Sequence, residues 1–113
     1  MNVKLKSGLD LIAEERQRQM KKKGYSPAHD DKHTGGELAL AASVYADFAG
    51  SQTWGAIPSE NVEAYLSGPG PLLWPWEEAS LKLSEDPLRN LAKAGALIAA
   101  EIDRRLRLGK EGQ

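Results

Sequence analysis

The stretch Asp86-Pro-Leu-Arg-Asn-Leu-Ala-Lys-Ala-Gly-Ala-Leu-Ile-Ala-Ala-Glu-Ile-Asp-Arg-Arg-Leu-Arg-Leu-Gly109 decides the fold. Aspartate is a preferred helix cap, and proline suits the first helical position, where its missing N–H has no intrahelical partner anyway. Leu88, Leu91, Gly95, Ile98, Ile102 and Leu106 then recur at helical spacing, the stripe that an amphipathic helix turns toward its core, and Gly109 offers a stop. This predicts a helix over 87–108. Gly95 costs it about 1 kcal/mol in helix propensity, so a close approach by another helix or a ligand is expected there.

Two further helices follow from similar signals. Ser7-Gly-Leu-Asp10 reads as a capping box, and Leu9, Ile12, Ala13 and Met20 continue at helical spacing as far as Lys21-Lys-Lys23 and Gly24, which predicts a helix over 7–23. The basic triplet suits the negative end of that helix. A second box, Thr34-Gly-Gly-Glu37, precedes Leu38, Ala41, Ala42 and Tyr45 and predicts a helix over 35–49, whose alanines would let a neighbour come close. Between Gly50 and Pro75, eight of 26 residues are Gly or Pro. The region 50–86 is therefore predicted to be irregular, with a short helix over 59–66. No segment alternates with period two. The expectation is one all-α domain over 1–113, a small bundle of three main helices with a long Gly/Pro-rich loop, which a second copy would help to complete.

Composition narrows the function. A chain of 113 residues leaves room for a single modest core, and the absence of cysteine removes disulfides, thiolate nucleophiles and zinc–thiolate sites. No run resembles a membrane span, and the N-terminal Met-Asn-Val-Lys-Leu-Lys lacks the apolar core of a signal peptide, so a cytoplasmic location is expected. A net charge of −1 argues against general nucleic-acid binding. Residues 1–23 nevertheless carry seven Lys or Arg against three acids, whereas 33–81 carry six acids and no Lys or Arg, an asymmetry that can set a basic rim beside an acidic pocket.

The densest polar cluster is His29-Asp-Asp-Lys-His33, followed by Glu37. Carboxylates and imidazoles are the ligands of divalent metals, although Asp in such a turn also serves plain helix capping. Glu15 and Gln19 lie one turn apart on the first helix, where one of them can look inward. Lys93, near the stripe of the last helix, can meet a phosphate or simply run its stem along the core. Trp74-Pro-Trp76 holds two rings on a stiff segment, suited to stacking on a base or to anchoring the loop. There is no phosphate-binding glycine loop, no His-Glu-x-x-His and no nucleophile elbow.

Glu15-Arg-Gln-Arg-Gln19, Lys23-Gly-Tyr25, His29-Asp-Asp-Lys-His33, Gly36-Glu-Leu-Ala39, Trp74-Pro-Trp76 and Leu91 through Arg104 resemble a set of small helical proteins of bacteriophages and prophages. The first and last of these stretches are also similar to the MazG-like all-α nucleotide pyrophosphohydrolases. That resemblance implies a helical homodimer or larger assembly that binds magnesium and cleaves a nucleoside triphosphate to its monophosphate and pyrophosphate. Such enzymes hold metal with Glu-x-x-Glu on one helix and Glu-x-x-Asp on another. Here Glu60-x-x-Glu63 has the first spacing but lies in the irregular region, and the last helix presents Asn90 and Lys93 where a carboxylate pair is expected.

The resulting expectation is a protein that binds a nucleotide or other phosphate-bearing small molecule, with magnesium-dependent pyrophosphohydrolysis as its enzymatic form. Asp30, Asp31, His33, Glu37 and Glu101 would hold the metal, with Glu37 and Glu15 in the catalytic role. Arg16, Gln19, His29, His33, Trp74, Trp76, Lys82, Arg89 and Lys93 would contact the ligand. The alternative is a non-catalytic phage accessory protein that sequesters a host nucleotide signal or blocks a host protein through its helical surface.

Overall fold

The computed structural model describes residues 5–54, 62–67 and 73–111. It is all-α, with helices α1 (Gly8–Lys22), α2 (Pro27–Asp30), α3 (Glu37–Trp54), α4 (Val62–Leu66) and α5 (Pro87–Glu111), and a 3-10 turn at Glu78–Ser80. The three long helices are those the periodicity predicts. None of the helices described is long and apolar enough to cross a membrane. Glu60, the start of the predicted 59–66 helix and the Gly68–Pro71 stretch lie outside the described residues.

Local chemistry sets the helix ends. Asp10 N–H donates to the Ser7 hydroxyl and Ser7 N–H donates to the Asp10 carboxylate, closing the predicted box. Asp86 accepts from Leu88 N–H at 3.0 Å and starts α5 as expected, but the helix runs through Gly109 to Glu111 instead of stopping there. The second box differs from expectation. Gly36, at φ +88°, precedes α3, and it is Gly35 N–H that donates to the Glu37 carboxylate. Glycine takes a positive φ without steric cost, so the chain turns into α3 two residues later than the Thr34 reading implies. Helix α3 then continues to Trp54, five residues beyond the expected end.

The core lies between α3 and α5. Leu38, Ala41, Ala42, Val44, Tyr45 and Phe48 pack against Ala94, Leu97 and Ala100, and the alanines let the two helices approach closely. Tyr65 of α4 meets Phe48 edge-on at 4.8 Å and donates its hydroxyl to Asp47 at 2.7 Å. Asn90 is wholly buried and satisfied: its amide donates to Gln52 and to Ser84 C=O, and its carbonyl accepts from Ser84 N–H. This fixes the 84–86 segment to α3, so Asn90 acts as a structural lock.

The two outer stripes do not face this core. On α5 the buried side carries Ala92, Lys93, Ala96, Leu97, Ala100, Glu101 and Arg104, while Leu88, Leu91, Ile98, Ile102 and Leu106 are exposed. On α1 the buried residues are Glu15, Arg16 and Gln19, while Leu9 is exposed and Ile12 and Met20 are half-buried. Both Glu15 and Gln19 thus look inward. The alanine face of α5 fits the tight contact with α3, and its bulkier side is left outward in the single chain. Gly95 behaves as expected: a Cβ placed there would stand 2.5 Å from Ile12 Cδ1, so α1 crosses α5 at this point.

Candidate functional site

A cleft opens where the end of α1, the middle of α3, the 74–82 segment and the inner face of α5 converge. Its first lobe, about 190 Å³, is walled by Tyr25, Tyr45, Trp74 and Trp76 and bordered by Glu15, Arg18, Gln19, Lys23, Lys82 and Lys93. A second lobe, about 210 Å³, is formed by Tyr25, His29, Asp30, His33, Leu38 and Trp76. Tyr25, Trp76 and Ser80 belong to both lobes, which are therefore neighbours along shared walls.

Six rings run through the cleft in sequence. Tyr25 stacks on His29 at 5.2 Å, His29 meets His33 at 5.0 Å, and His33 meets Trp76 at 5.0 Å. Trp76 then meets Trp74 at 5.3 Å, and Trp74 meets Tyr45 at 5.7 Å. The Trp74 indole N–H donates to Glu77 C=O at 3.0 Å, which ties the 74–80 segment into a compact turn. The Tyr45 hydroxyl accepts from Lys82 N–H, and burial raises its pKa.

Lys93 is the cleft's inner cation. Its Nζ lies 5.4 Å from the Tyr45 ring centroid and donates to Lys82 C=O at 2.5 Å. Desolvation, joined by the charge of Arg89, lowers its pKa to about 8. Glu15 is bound by Arg18, with contacts of 2.8–3.2 Å, so Lys23, Lys82 and Lys93 leave the first lobe net positive. Three buried polar atoms on lining residues have no hydrogen-bond partner: Gln19 Oε1 in the first lobe, and His29 Nδ1 and Asp30 Oδ1 in the second. Buried groups of this kind are normally paired, and His29 Nδ1 and Asp30 Oδ1 lie 3.9 Å from each other.

Of the expected ligand contacts, Gln19, Trp74, Trp76, Lys82 and Lys93 share the first lobe, and His29, His33 and Trp76 the second. Arg16 is instead buried behind the cleft wall, donating to Asp30 at 2.6 Å and to Tyr25 C=O at 3.2 Å, where it positions both. Arg89 lies outside both lobes, beside Glu14 and Leu88 in a separate depression. Tyr25, Tyr45, Arg18 and Lys23 join the cleft without having been singled out in sequence. The Lys-Gly-Tyr stretch at 23–25 was the available signal for two of them.

The five expected metal ligands are not brought together. Asp30 pairs with Arg16, Asp31 with Arg107 at 2.7 Å, and Glu101 with Arg104 at 2.6 Å and Arg105 at 3.4 Å. Glu37 lies 3.5 Å from His33 Nδ1. Its pKa is lowered by its own backbone N–H and by Gly35 N–H, with a smaller effect from His33. Arginine on Glu101 likewise holds its carboxyl below the ordinary range. The donor set does not fit a resident magnesium, because guanidinium groups already occupy most of its oxygens, and among the described residues no three His, Asp or Glu side chains gather to hold an ion. The two expected catalytic carboxylates are also apart: Glu15 borders the first lobe, whereas Glu37 lines neither. Searches with the chain find no matching family model, no matching curated protein and no matching solved structure.

Proposed function

We propose that the cleft binds a nucleotide or a nucleotide-like phosphate ligand and holds it without hydrolysis. The observation that carries this reading is the meeting of Lys93 with the rings of Tyr45, Trp74 and Trp76 in one lobe. Lysines meet phosphate as point charges, and aromatic faces accept a planar base with little regard for its identity. Together the two lobes reach the lower part of the range of about 300–1,000 Å³ typical of small-ligand sites. The phosphates would lie toward Lys23, Lys82 and Lys93, with the base against Trp76 and Tyr25. The acceptor Gln19 Oε1, which has no hydrogen-bond partner, offers a place for one of its N–H donors.

Pyrophosphohydrolysis of the MazG-like kind is the weaker reading, since its metal ligands would have to be freed from Arg16, Arg104 and Arg107. A role in sequestering a nucleotide signal needs only the basic and aromatic lining. Thermal-shift screening against nucleoside mono-, di- and triphosphates, cyclic dinucleotides and inorganic pyrophosphate tests the proposal. Stabilisation by one nucleotide class, lost in both Lys93→Met and Trp76→Ala, is the expected result, and a flat response across the panel would contradict it.

A further inference from the structure

Among the described residues, Lys6, Lys21, Lys22, Lys23, Lys32 and Lys82 are exposed, whereas Lys93 is buried, at 7% exposure. Its amine makes one hydrogen bond, to Lys82 C=O, and no ion pair with a carboxylate among the described residues. A carbonyl oxygen accepts the proton but supplies no full negative charge, so the lost hydration is only partly replaced and the neutral amine gains ground. The charged groups around it act in the same sense. Arg89, Arg18 and Lys23 disfavour a further positive charge, and Glu15, which opposes them, is itself bound by Arg18. With a pKa of about 8, roughly one molecule in ten carries the free amine at pH 7, against about one in 2,500 for an exposed lysine at about 10.4.

A desolvated neutral lysine is a nucleophile, and its surroundings define the electrophile. The rings of Tyr45, Trp74 and Trp76 wall the lobe. Its volume of about 190 Å³ falls below the range of about 300–1,000 Å³ of drug-sized sites and suits one planar ring with a short arm. Lys23 and Lys82 border the same lobe as cations for that arm. Gln19, only 4% exposed, also lines it, and its Oε1 lacks a hydrogen-bond donor, which a ring hydroxyl would supply. We propose that Lys93 is a covalent binding site for a small aromatic aldehyde bearing a phosphate, held as an imine inside the first lobe.

The step balances without oxidant or reductant. The Nζ lone pair adds to the aldehyde carbon, the carbonyl π pair moves to oxygen, and that oxygen takes one of the two amine protons to give a carbinolamine. The hydroxyl then leaves with the second proton as water, and the nitrogen lone pair completes the C=N bond. The carbon keeps its oxidation level. Indole and phenol walls limit the return of water, which protects the imine from hydrolysis. Imine formation uses the free amine, whereas a nucleotide phosphate draws on the protonated one, so this inference and the nucleotide reading stand or fall separately.

Pyridoxal 5′-phosphate is the probe. The imine is followed by its absorbance, reduced with borohydride and located by peptide mass spectrometry. One pyridoxyl group per chain on Lys93 is expected, with each exposed lysine labelled at least tenfold less. Lys93→Met should lose the absorbance and keep its helical circular dichroism. The probe's phosphate-free analogue, 5-deoxypyridoxal, should need at least a tenfold higher concentration. Lys82→Met should raise the half-saturating concentration of the phosphate form several-fold, with Lys93 still the residue labelled. Labelling should climb with pH to a plateau above about pH 8, and removing the neighbouring charge in Arg89→Gln, at an exposed position, should move that climb to higher pH. Labelling spread evenly over the exposed lysines, equal half-saturation by the two aldehydes, or a pH profile unmoved in Arg89→Gln would each overturn the proposal. Selective labelling of Lys93 beside a flat thermal-shift response to nucleotides would uphold it and overturn the nucleotide reading alone.

Discussion

Lys93 holds its ammonium 5.4 Å from the Tyr45 ring centroid, on the buried side of α5, and donates to Lys82 C=O. Burial makes that charge costly, which is why its pKa comes down to about 8. An anion in the first lobe needs the protonated amine, so nucleotide affinity should be full below about pH 8 and fall several-fold by about pH 9.5. Isothermal titration calorimetry at a series of pH values measures this. Loss of the pH dependence in Lys93→Met, together with weak binding throughout, assigns it to this amine.

The same burial carries a stability consequence of opposite sense. An unfolded lysine keeps an ordinary pKa near 10.4, so between about pH 8 and that value the unfolded chain binds more protons than the folded one. Stability should therefore rise with pH across this window. Urea unfolding should show the rise in the wild type and its absence in Lys93→Met. At neutral pH that variant should be more stable by about 1 kcal/mol, since a desolvated charge is gone although Lys82 C=O loses its donor.

Gly95→Ala should destabilise the chain although alanine is the better helix former. The added Cβ would meet Ile12 Cδ1 at 2.5 Å and force α1 away from α5. Overpacking of this kind costs about 1–3 kcal/mol and outweighs the gain of about 1 kcal/mol in helix propensity. Thermal unfolding of Gly95→Ala with Ile12→Ala as a compensating change checks the cause: the double variant should lose less than the two single losses combined.

Arg16→Met should cost about 3–5 kcal/mol, because it leaves the buried Asp30 carboxylate without its cation. The loss should be sharply reduced in Arg16→Met/Asp30→Leu, which removes the stranded charge. Asn90→Leu, by contrast, should cost about 2–3 kcal/mol through the loss of its bonds to Gln52 and to both backbone groups of Ser84. Chemical denaturation reads both.

The helices were legible because their signals are local. Ser7 with Asp10, and Asp86 with Pro87, state a helix start within four residues. Which side each helix buries was not legible. Periodicity shows that Leu88, Leu91, Ile98, Ile102 and Leu106 share a face of α5, but a single chain packs the alanine side against α3 instead, because small residues permit the closer contact. The candidate site was half legible for a related reason. His29, His33, Trp74 and Trp76 stand out by type, whereas Tyr45 reads as core and Lys23 as a helix-end cation until α1, α3 and the 74–82 segment are brought together. The arginines that neutralise Asp30, Asp31 and Glu101 include Arg107, 76 positions from its partner, a pairing that no spacing rule anticipates.

The account turns on the cleft being the place where a nucleotide sits. The most direct measurement is a two-dimensional amide and indole NMR titration, in which the Trp74, Trp76 and Trp54 indole N–H signals are followed as a nucleoside triphosphate is added. Trp74 and Trp76 border the cleft, whereas Trp54 is exposed at the end of α3 and lines neither lobe. Saturable movement of the first two with Trp54 stationary is the result expected. Indole signals that stay fixed, or movement of Trp54 alone, would contradict it.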